Sequence, residues 1–159
     1  MDEIPAEATE YLALLAATPR RIEAAIQGHA AEALHLRPDD KTWSASDILA
    51  HLRASVDVWG EEARTILAEH NPTIRHLSPR TWIRKTDYME LPLHSSFVEE
   101  RRDLLGALTD LSPDDWQRSA VVKQGGRERG KTLLFCVGQI ALHEDAHCAQ
   151  ISEVLQGAA

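Results

Sequence analysis

The segment from about residue 132 to 156 has the hydrophobic periodicity of one long helix, and its apolar stripe contains two histidines. With successive residues about 100° apart around the axis, His147 and Ile151 fall on the same side as His143, whereas Asp145 points the opposite way. An imidazole buried among apolar side chains needs a polar partner, because an unpaired polar group in an interior is costly. Any fold that this helix joins must therefore supply partners for two buried rings.

The spacing of His143 and His147 is that of a metal-binding pair. Residues four apart on a helix are neighbours on one face, about 5 to 6 Å apart, so two rings can share one ion. Imidazole nitrogen is a ligand that suits zinc and nickel. Either ring alone could be a core histidine bonded to a carbonyl group, but the pair favours a metal site.

A further histidine, His51, lies in another predicted helix. Ser44 and Asp47 resemble a capping box with Asp in place of Glu, and they predict a helix from Ser44 to about Glu69. His51 lies at the edge of the apolar arc of this helix, a position that suits a cavity wall. Spacing does not connect residue 51 with residue 143, so metal ligation and a partly exposed histidine without a role are equally good interpretations of this pattern.

The other periodic segments predict an all-α fold, a four-helix bundle. The first helix spans about residues 6–27, where Pro19 is expected to kink or restart it, and the third runs from a Ser96 cap to about residue 111. Residues 71–93, between the second and third helices, are expected to form a long irregular crossover. Strand signals are almost absent. Bundles of this kind build metal sites from side chains on facing helices.

The composition excludes several classes of partner. The net charge is −8, and we expect no nucleic-acid binding because phosphate contacts require a basic patch. No segment approaches the roughly 18 apolar residues of a membrane span, so no membrane association is expected. The start, Met1 to Pro5, has acidic residues where a signal peptide has basic ones, which predicts a cytoplasmic protein. The 159 residues suit a single domain over residues 1–159.

The two cysteines are expected to be free thiols. Cys136 and Cys148 lie on one predicted helix, and twelve residues of helix separate them by about 18 Å, far beyond disulfide reach. Cys148 points about 100° away from His147 and is not expected to be a ligand.

The only cluster that resembles a basic patch lies in the crossover. It could meet an anionic small molecule, although a solvated loop is the commoner explanation. The basic residues of this cluster are Arg75, His76, Arg80, Arg84 and Lys85. They are interleaved with two aromatic residues, Trp82 and Tyr88.

Five motifs in order resemble the DinB/YfiT-like superfamily over nearly the whole chain. They are Thr18-Pro19, Arg37-Pro38, Trp43-Ser44 leading to Ile48-Leu49-Ala50-His51-Leu52, Leu111-Ser112, and His143 to His147 with Gln150-Ile151. The resemblance implies a four-helix bundle with a divalent metal, zinc or nickel, held by His51, His143 and His147. It implies no DNA-binding activity.

Relatives in this superfamily include thiol-dependent transferases and isomerases that use bacillithiol, mycothiol or glutathione-like cofactors. The resemblance therefore implies a thiol-dependent transferase that activates a low-molecular-weight thiol for a small-molecule substrate. Arg84 and Arg127 are candidate contacts for the carboxylates of that cofactor. A metal-dependent hydrolase and a non-enzymatic, stress-related metal-binding bundle remain alternatives.

Two further expectations concern the last helix. His143-Glu144-Asp145-Ala146-His147 also matches the H-E-x-x-H of zinc proteases, with Glu144 as general base, but no histidine follows His147. For Glu144 we expect an ion pair at the surface or beside the ligands. Leu134 and Phe135 point away from the histidines, which predicts a homodimer. Gln150, nearly in line with His143, could orient a ligand or bond a facing helix, and Trp43 is expected to pack the start of the second helix.

Overall fold

The computed structural model describes residues 3–84, 88 and 92–157. Within these residues, four long helices form the bundle and three short helices lie in the connections. The long ones are α1 (Ala6–Ile26), α3 (Ala45–Ala68), α5 (Leu93–Leu108) and α7 (Leu133–Gly157), and the short ones are α2 (Ala31–His35), α4 (Pro79–Ile83) and α6 (Pro113–Trp116). The predicted helical bundle is confirmed.

The four long helices pack in a ring in which α1 does not neighbour α3 and α5 does not neighbour α7. The main helix contacts are α1 with α7 and α5, and α3 with the same two helices. The order around the bundle is therefore α1, α7, α3, α5, so α1 and α3 lie diagonally opposite each other. This arrangement sets the face of α3 that carries His51 against the face of α7 that carries His143.

The capping box of α3 forms as the sequence predicts. The Asp47 N–H donates to Ser44 Oγ across 3.0 Å, and the Ser44 N–H donates to Asp47 Oδ2 across 2.9 Å. The expected start of the third long helix was wrong, because α5 begins at Leu93 and places Ser96 in its first turn. The Ser96 hydroxyl instead accepts a hydrogen bond from Arg53 Nε on α3 at 2.7 Å.

Pro19 does not restart the first helix, since α1 is one element from Ala6 to Ile26. Proline removes one backbone hydrogen bond from a helix interior. Beside it, Thr18 Oγ1 donates to the Leu14 carbonyl at 2.9 Å, and the Thr18 side chain is buried. Helix α1 continues past Pro19 because its packing against α7 and α5 stabilises the helix.

The near absence of strands was a wrong prediction. Strands β1 (Thr73–Arg75), β2 (Ser119–Gln124) and β3 (Arg127–Thr132) form one sheet, in which β1 is parallel to β2 and β2 is antiparallel to β3. Gly125 and Gly126 make the turn of the β2–β3 hairpin with φ of 53° and 80°, values that favour glycine. Most of β3 is exposed. Its charged sequence gives no strand alternation, so pairing with β2 determines its conformation.

Most of the buried core side chains among the described residues fall into two large groups. One includes Leu15, Trp59 and Ile140, and the other includes Ile48 and Ile151. No helix among the described residues is long and apolar enough to cross a membrane. The homodimer stays a prediction.

The two cysteines are free and buried, as the sequence predicts. Cys148 packs in the second group of the core and is therefore a core residue.

Candidate metal centre

Three imidazoles from two helices meet in the bundle. His51 lies in the second turn of α3, and His143 and His147 lie one turn apart on α7. Nε2 of His143 is 3.0 Å from Nε2 of His51 and 3.1 Å from Nε2 of His147. One nitrogen of each ring lies within 4.8 Å of the other two, and among the described residues this cluster contains no carboxylate or thiol.

His147 has a defined tautomer, because Gln150 Oε1 lies 2.7 Å from its Nδ1. An amide oxygen only accepts, so Nδ1 of His147 carries the proton and its Nε2 presents a lone pair toward His143. A partner on the outer nitrogen is the usual way in which a protein orients an imidazole ligand. Of the two uses expected for Gln150, orientation of a ligand ring fits this contact.

Protons alone do not satisfy the three inner nitrogens. His143 Nε2 holds at most one proton, and one N–H cannot align with both His51 Nε2 and His147 Nε2. If His143 Nε2 holds no proton, its lone pair faces the lone pair of His147 Nε2. An ion that accepts all three lone pairs resolves the conflict. Two nitrogen ligands of a tetrahedral zinc ion lie about 3.3 Å apart, and two of the three nitrogen pairs, at 3.0 and 3.1 Å, are close to that value.

Burial keeps two of the rings neutral at pH 7. Desolvation, followed by the electrostatic effects of His147 and Arg80, lowers the pKa of His51 to about 4. Desolvation, followed by the charges of His147 and His51, lowers the pKa of His143 to about 3. A neutral imidazole is the form that binds a metal ion, so these rings are in the ligating state at neutral pH.

Two tryptophans and an arginine border the histidine cluster. The Trp43 ring lies 5.0 Å from the His51 ring and stacks on His147 at 6.3 Å, and Trp59 meets His143 edge-on at 4.8 Å. The Arg80 guanidinium lies 5.9 Å from the Trp43 ring centroid. Trp43 is thus more than packing at the start of a helix, because its partly buried ring forms a wall of the cluster.

Glu144 lies beside two candidate ligands in sequence but points away from them. Its carboxylate pairs with Arg101 of α5, and both side chains are only 2% exposed. Burial raises the pKa of Glu144, and Arg101 opposes that rise. The expectation that Glu144 forms an ion pair at the surface was therefore wrong, because the pair that it forms is buried. A general-base role is not supported, because this carboxylate is engaged in the interior.

The two arginines proposed to contact a thiol cofactor lie in different places. Arg84 is exposed directly after α4, the helix that carries Arg80. Arg127 is exposed in the hairpin, where it lines a cavity of about 670 Å³ with Lys131 and Gln139. None of the three clustered histidines lines that cavity. Both contacts stay predictions.

The sequence arguments did not single out Arg101 or Trp59, and they named Arg80 only within the basic loop. Arg101 lies in α5 beside Arg102, where periodicity alone distinguishes the inward arginine from the outward one. Trp59 follows His51 by eight residues, a spacing that places both on one face of α3. Lys85, also in the basic loop, lies outside the described residues.

Comparisons with known proteins give the family of this chain and a solved structure with a similar fold. The family model of the DinB superfamily matches residues 14–151. The fold resembles YfiT from Bacillus subtilis, described as a probable metal-dependent hydrolase with an unusual four-helix bundle topology. The TM-score is 0.80 at 19% sequence identity, over 99% of this chain and 91% of that one. No curated protein sequence gives a significant match. Because the family model covers most of its length, the chain belongs to the DinB superfamily.

Proposed function

We propose that the protein is a metal-dependent enzyme that transfers a low-molecular-weight thiol to a small anionic electrophile. His51, His143 and His147 would hold one divalent ion, zinc or nickel, through their Nε2 atoms. The observation that supports this most is the convergence of three imidazoles with no fourth protein ligand among the described residues. Three protein ligands are typical of catalytic zinc, whereas structural zinc sites usually have four.

When bound, the ion would lower the pKa of a thiol or of water held at its open position. The absence of a carboxylate from the described cluster favours the thiol, since a thiol deprotonated by the ion needs no general base. Its sulfur would form a bond to the electrophilic carbon of the second substrate, and the leaving group would depart with the bonding electron pair.

Arg80 and Trp43 would bind the substrate beside the ion. The guanidinium of Arg80 forms no ion pair with any described residue, and it lies over Trp43, which contacts two of the histidine rings. A guanidinium free of carboxylates is the usual partner of a carboxylate or phosphate group. Arg84, exposed at the end of the same helix α4, is a second candidate contact for the carboxylates of the thiol.

A metal-dependent hydrolase is the second candidate, favoured by the description of YfiT, which shares this fold. The same three histidines would serve both reactions, and Arg80 would bind an anionic ester or amide in place of the electrophile. A binding protein without turnover is the third possibility. The three candidates differ in the compound that is consumed: a thiol by the transferase, an ester or amide by the hydrolase, and neither by the binding protein.

The test uses zinc-loaded protein with glutathione, bacillithiol and mycothiol in turn and 4-chloro-3,5-dinitrobenzoate as the anionic electrophile, which releases chloride when the thiol sulfur is added. The proposal expects thiol consumption above background in the wild type and loss of that rate in His147→Ala. His70→Ala is the matched control, because His70 is an exposed histidine outside the cluster. If metal is bound and no thiol is consumed, the transferase is excluded, and hydrolysis of carboxylate-bearing nitrophenyl esters separates the hydrolase from the binding protein.

A further inference from the structure

A partly open cavity lies along α3, apart from the histidine cluster. It has a volume of about 450 Å³, and its lining comes from the second half of α3, from β1 and from Leu77 and Trp82. None of the three clustered histidines lines it. The volume is within the range of sites that hold small organic molecules. Glu62, a lining residue, follows His51 by eleven positions, which is about 16 Å along the helix.

Glu62 is a buried carboxylate with one free oxygen. Its side chain is 4% exposed, and Oε1 has no hydrogen-bond partner among the described residues. The other oxygen, Oε2, lies 3.5 Å from Lys131 Nζ and 4.0 Å from Cys136 Sγ. His76 Nδ1 is 3.8 Å from Oε1, which is too far for a hydrogen bond. A buried carboxylate oxygen without a donor is costly, and a ligand with an N–H group would satisfy it.

The remaining walls suit an apolar body and a positive charge. Val58, Ile74, Leu77 and the Trp82 indole provide apolar surface. Two further carboxylates and one guanidinium, those of Asp57, Glu61 and Arg75, also line the space.

Of these carboxylates, Asp57 is already engaged. Its Oδ2 accepts from the Tyr88 hydroxyl at 2.6 Å, and Arg53 pairs with its other oxygen. Glu61 forms no ion pair within the part of the chain that the structure describes, and Lys131, the partner of Glu62, lines a different cavity. Arg75 is exposed, so the buried polar atom of the lining that lacks a hydrogen-bond partner among the described residues is Glu62 Oε1.

We propose that this cavity is a binding site for a small organic ammonium compound with an apolar body, such as an arylalkylamine. Its ammonium group donates to Glu62 Oε1, and its apolar part packs against Trp82, Leu77 and Ile74. An aromatic face and a buried carboxylate together select a cation over a neutral compound of the same shape. This site is independent of the metal centre and of the proposed transferase.

The experiment titrates benzylamine and benzyl alcohol, two probes of nearly equal shape, into full-length protein treated with EDTA so that the amine cannot bind an ion. Binding is followed by calorimetry and by the indole N–H signal of Trp82 in a ¹H–¹⁵N spectrum, assigned with Trp82→Phe. A charge-assisted hydrogen bond contributes about 1.5 to 3 kcal/mol, so benzylamine should bind at least about tenfold more tightly than the alcohol.

Two variants test the role of Glu62. Glu62→Gln removes the charge and should weaken benzylamine binding about tenfold or more without changing that of benzyl alcohol. Because it also removes the partner of Lys131, its fold is checked by circular dichroism. Thr65→Lys keeps the Glu62–Lys131 pair and brings an ammonium group to the cavity wall, one turn from Glu61, where it should compete with the amine.

Glu153→Gln, an exposed residue on α7, is the matched control and should leave binding unchanged. Equal affinity for amine and alcohol would overturn the proposal. So would benzylamine binding that neither Glu62→Gln nor Thr65→Lys weakens, or the absence of amine binding to the wild type, which would mean that water alone fills the space.

Discussion

Nδ1 of His147 donates a hydrogen bond to Oε1 of Gln150 across 2.7 Å, and this contact points the other nitrogen of the ring at His143. Removal of such an orienting partner typically costs about 10 to 100-fold in metal affinity. We expect Gln150→Leu to weaken zinc binding by that factor, measured by competition with a chromophoric chelator. Gln156→Leu, an exposed glutamine on the same helix, is the control. An unchanged Kd in Gln150→Leu would contradict the role given to this contact.

The buried pair of Arg101 and Glu144 should stabilise the fold without taking part in metal binding. Removal of one partner leaves an uncompensated buried charge, which costs about 3 to 5 kcal/mol. We expect Arg101→Met and Glu144→Gln each to lower the urea midpoint, and the double variant Arg101→Met with Glu144→Met to recover part of the loss.

The metal stoichiometry serves as the control in the same experiment. Glu144→Gln should still bind one zinc ion, since its carboxylate faces Arg101 and not the histidines. Loss of zinc in a folded Glu144→Gln would mean that Glu144 contributes to the metal centre directly.

The Cys136 thiol should be inert in the native protein and should make stability fall at high pH. Burial, followed by the negative charge of Glu62, raises the pKa of Cys136 to about 11 from an ordinary value of 9.0. Between about pH 9 and 11 the folded state therefore keeps the Cys136 thiol proton that the unfolded state has lost. The stabilisation of the folded state by the protonated thiol is present below pH 9 and is lost as the pH rises from about 9 to about 11.

Urea unfolding between pH 8 and 10.5 measures this dependence. Burial also raises the pKa of Cys148 to about 11, so the control replaces both cysteines with alanine. The wild type should lose stability more steeply than the control above pH 9, and its thiols should react with Ellman's reagent at pH 8 only after unfolding. Rapid reaction of the native thiols would contradict the buried environment.

The side of α7 away from the histidines should form a homodimer interface. Phe135 is 42% exposed, and Leu134 beside it is partly buried against the core. We expect light scattering at micromolar concentration to give twice the mass of the chain. Phe135→Glu should give the monomer, because a charge in an apolar interface is costly. Leu36→Glu, at an exposed leucine outside α7, should leave the dimer intact. A wild-type monomer at that concentration would exclude the dimer.

Local sequence signals predicted the four long helices and the shared face of His143 and His147. The Ser44–Asp47 box forms, since it needs only residues three apart. His143 and His147 share a face for the same local reason. His51 joins them through packing of α3 on α7, which no spacing rule gives, and only the family resemblance linked it to the pair.

Features that depend on tertiary contacts were missed. Strand β3 is charged and exposed, so its pairing with β2 leaves no pattern in its own residues. Ser96 has the residue type and spacing of a cap, but the hydroxyl serves Arg53 of a neighbouring helix instead. The pairing of Glu144 with Arg101 joins residues 43 positions apart, which local periodicity does not reveal.

The central claim is that His51, His143 and His147 bind one divalent ion, and elemental analysis of protein purified without an affinity tag tests it most directly. We predict about one zinc or nickel ion per chain, and loss of that ion in each of the three single alanine variants. At a free zinc concentration of 100 times the Kd, binding should stabilise the metal-free wild type by about 2.7 kcal/mol. A purified protein without metal, whose melting temperature does not change when zinc or nickel is added, would contradict the account.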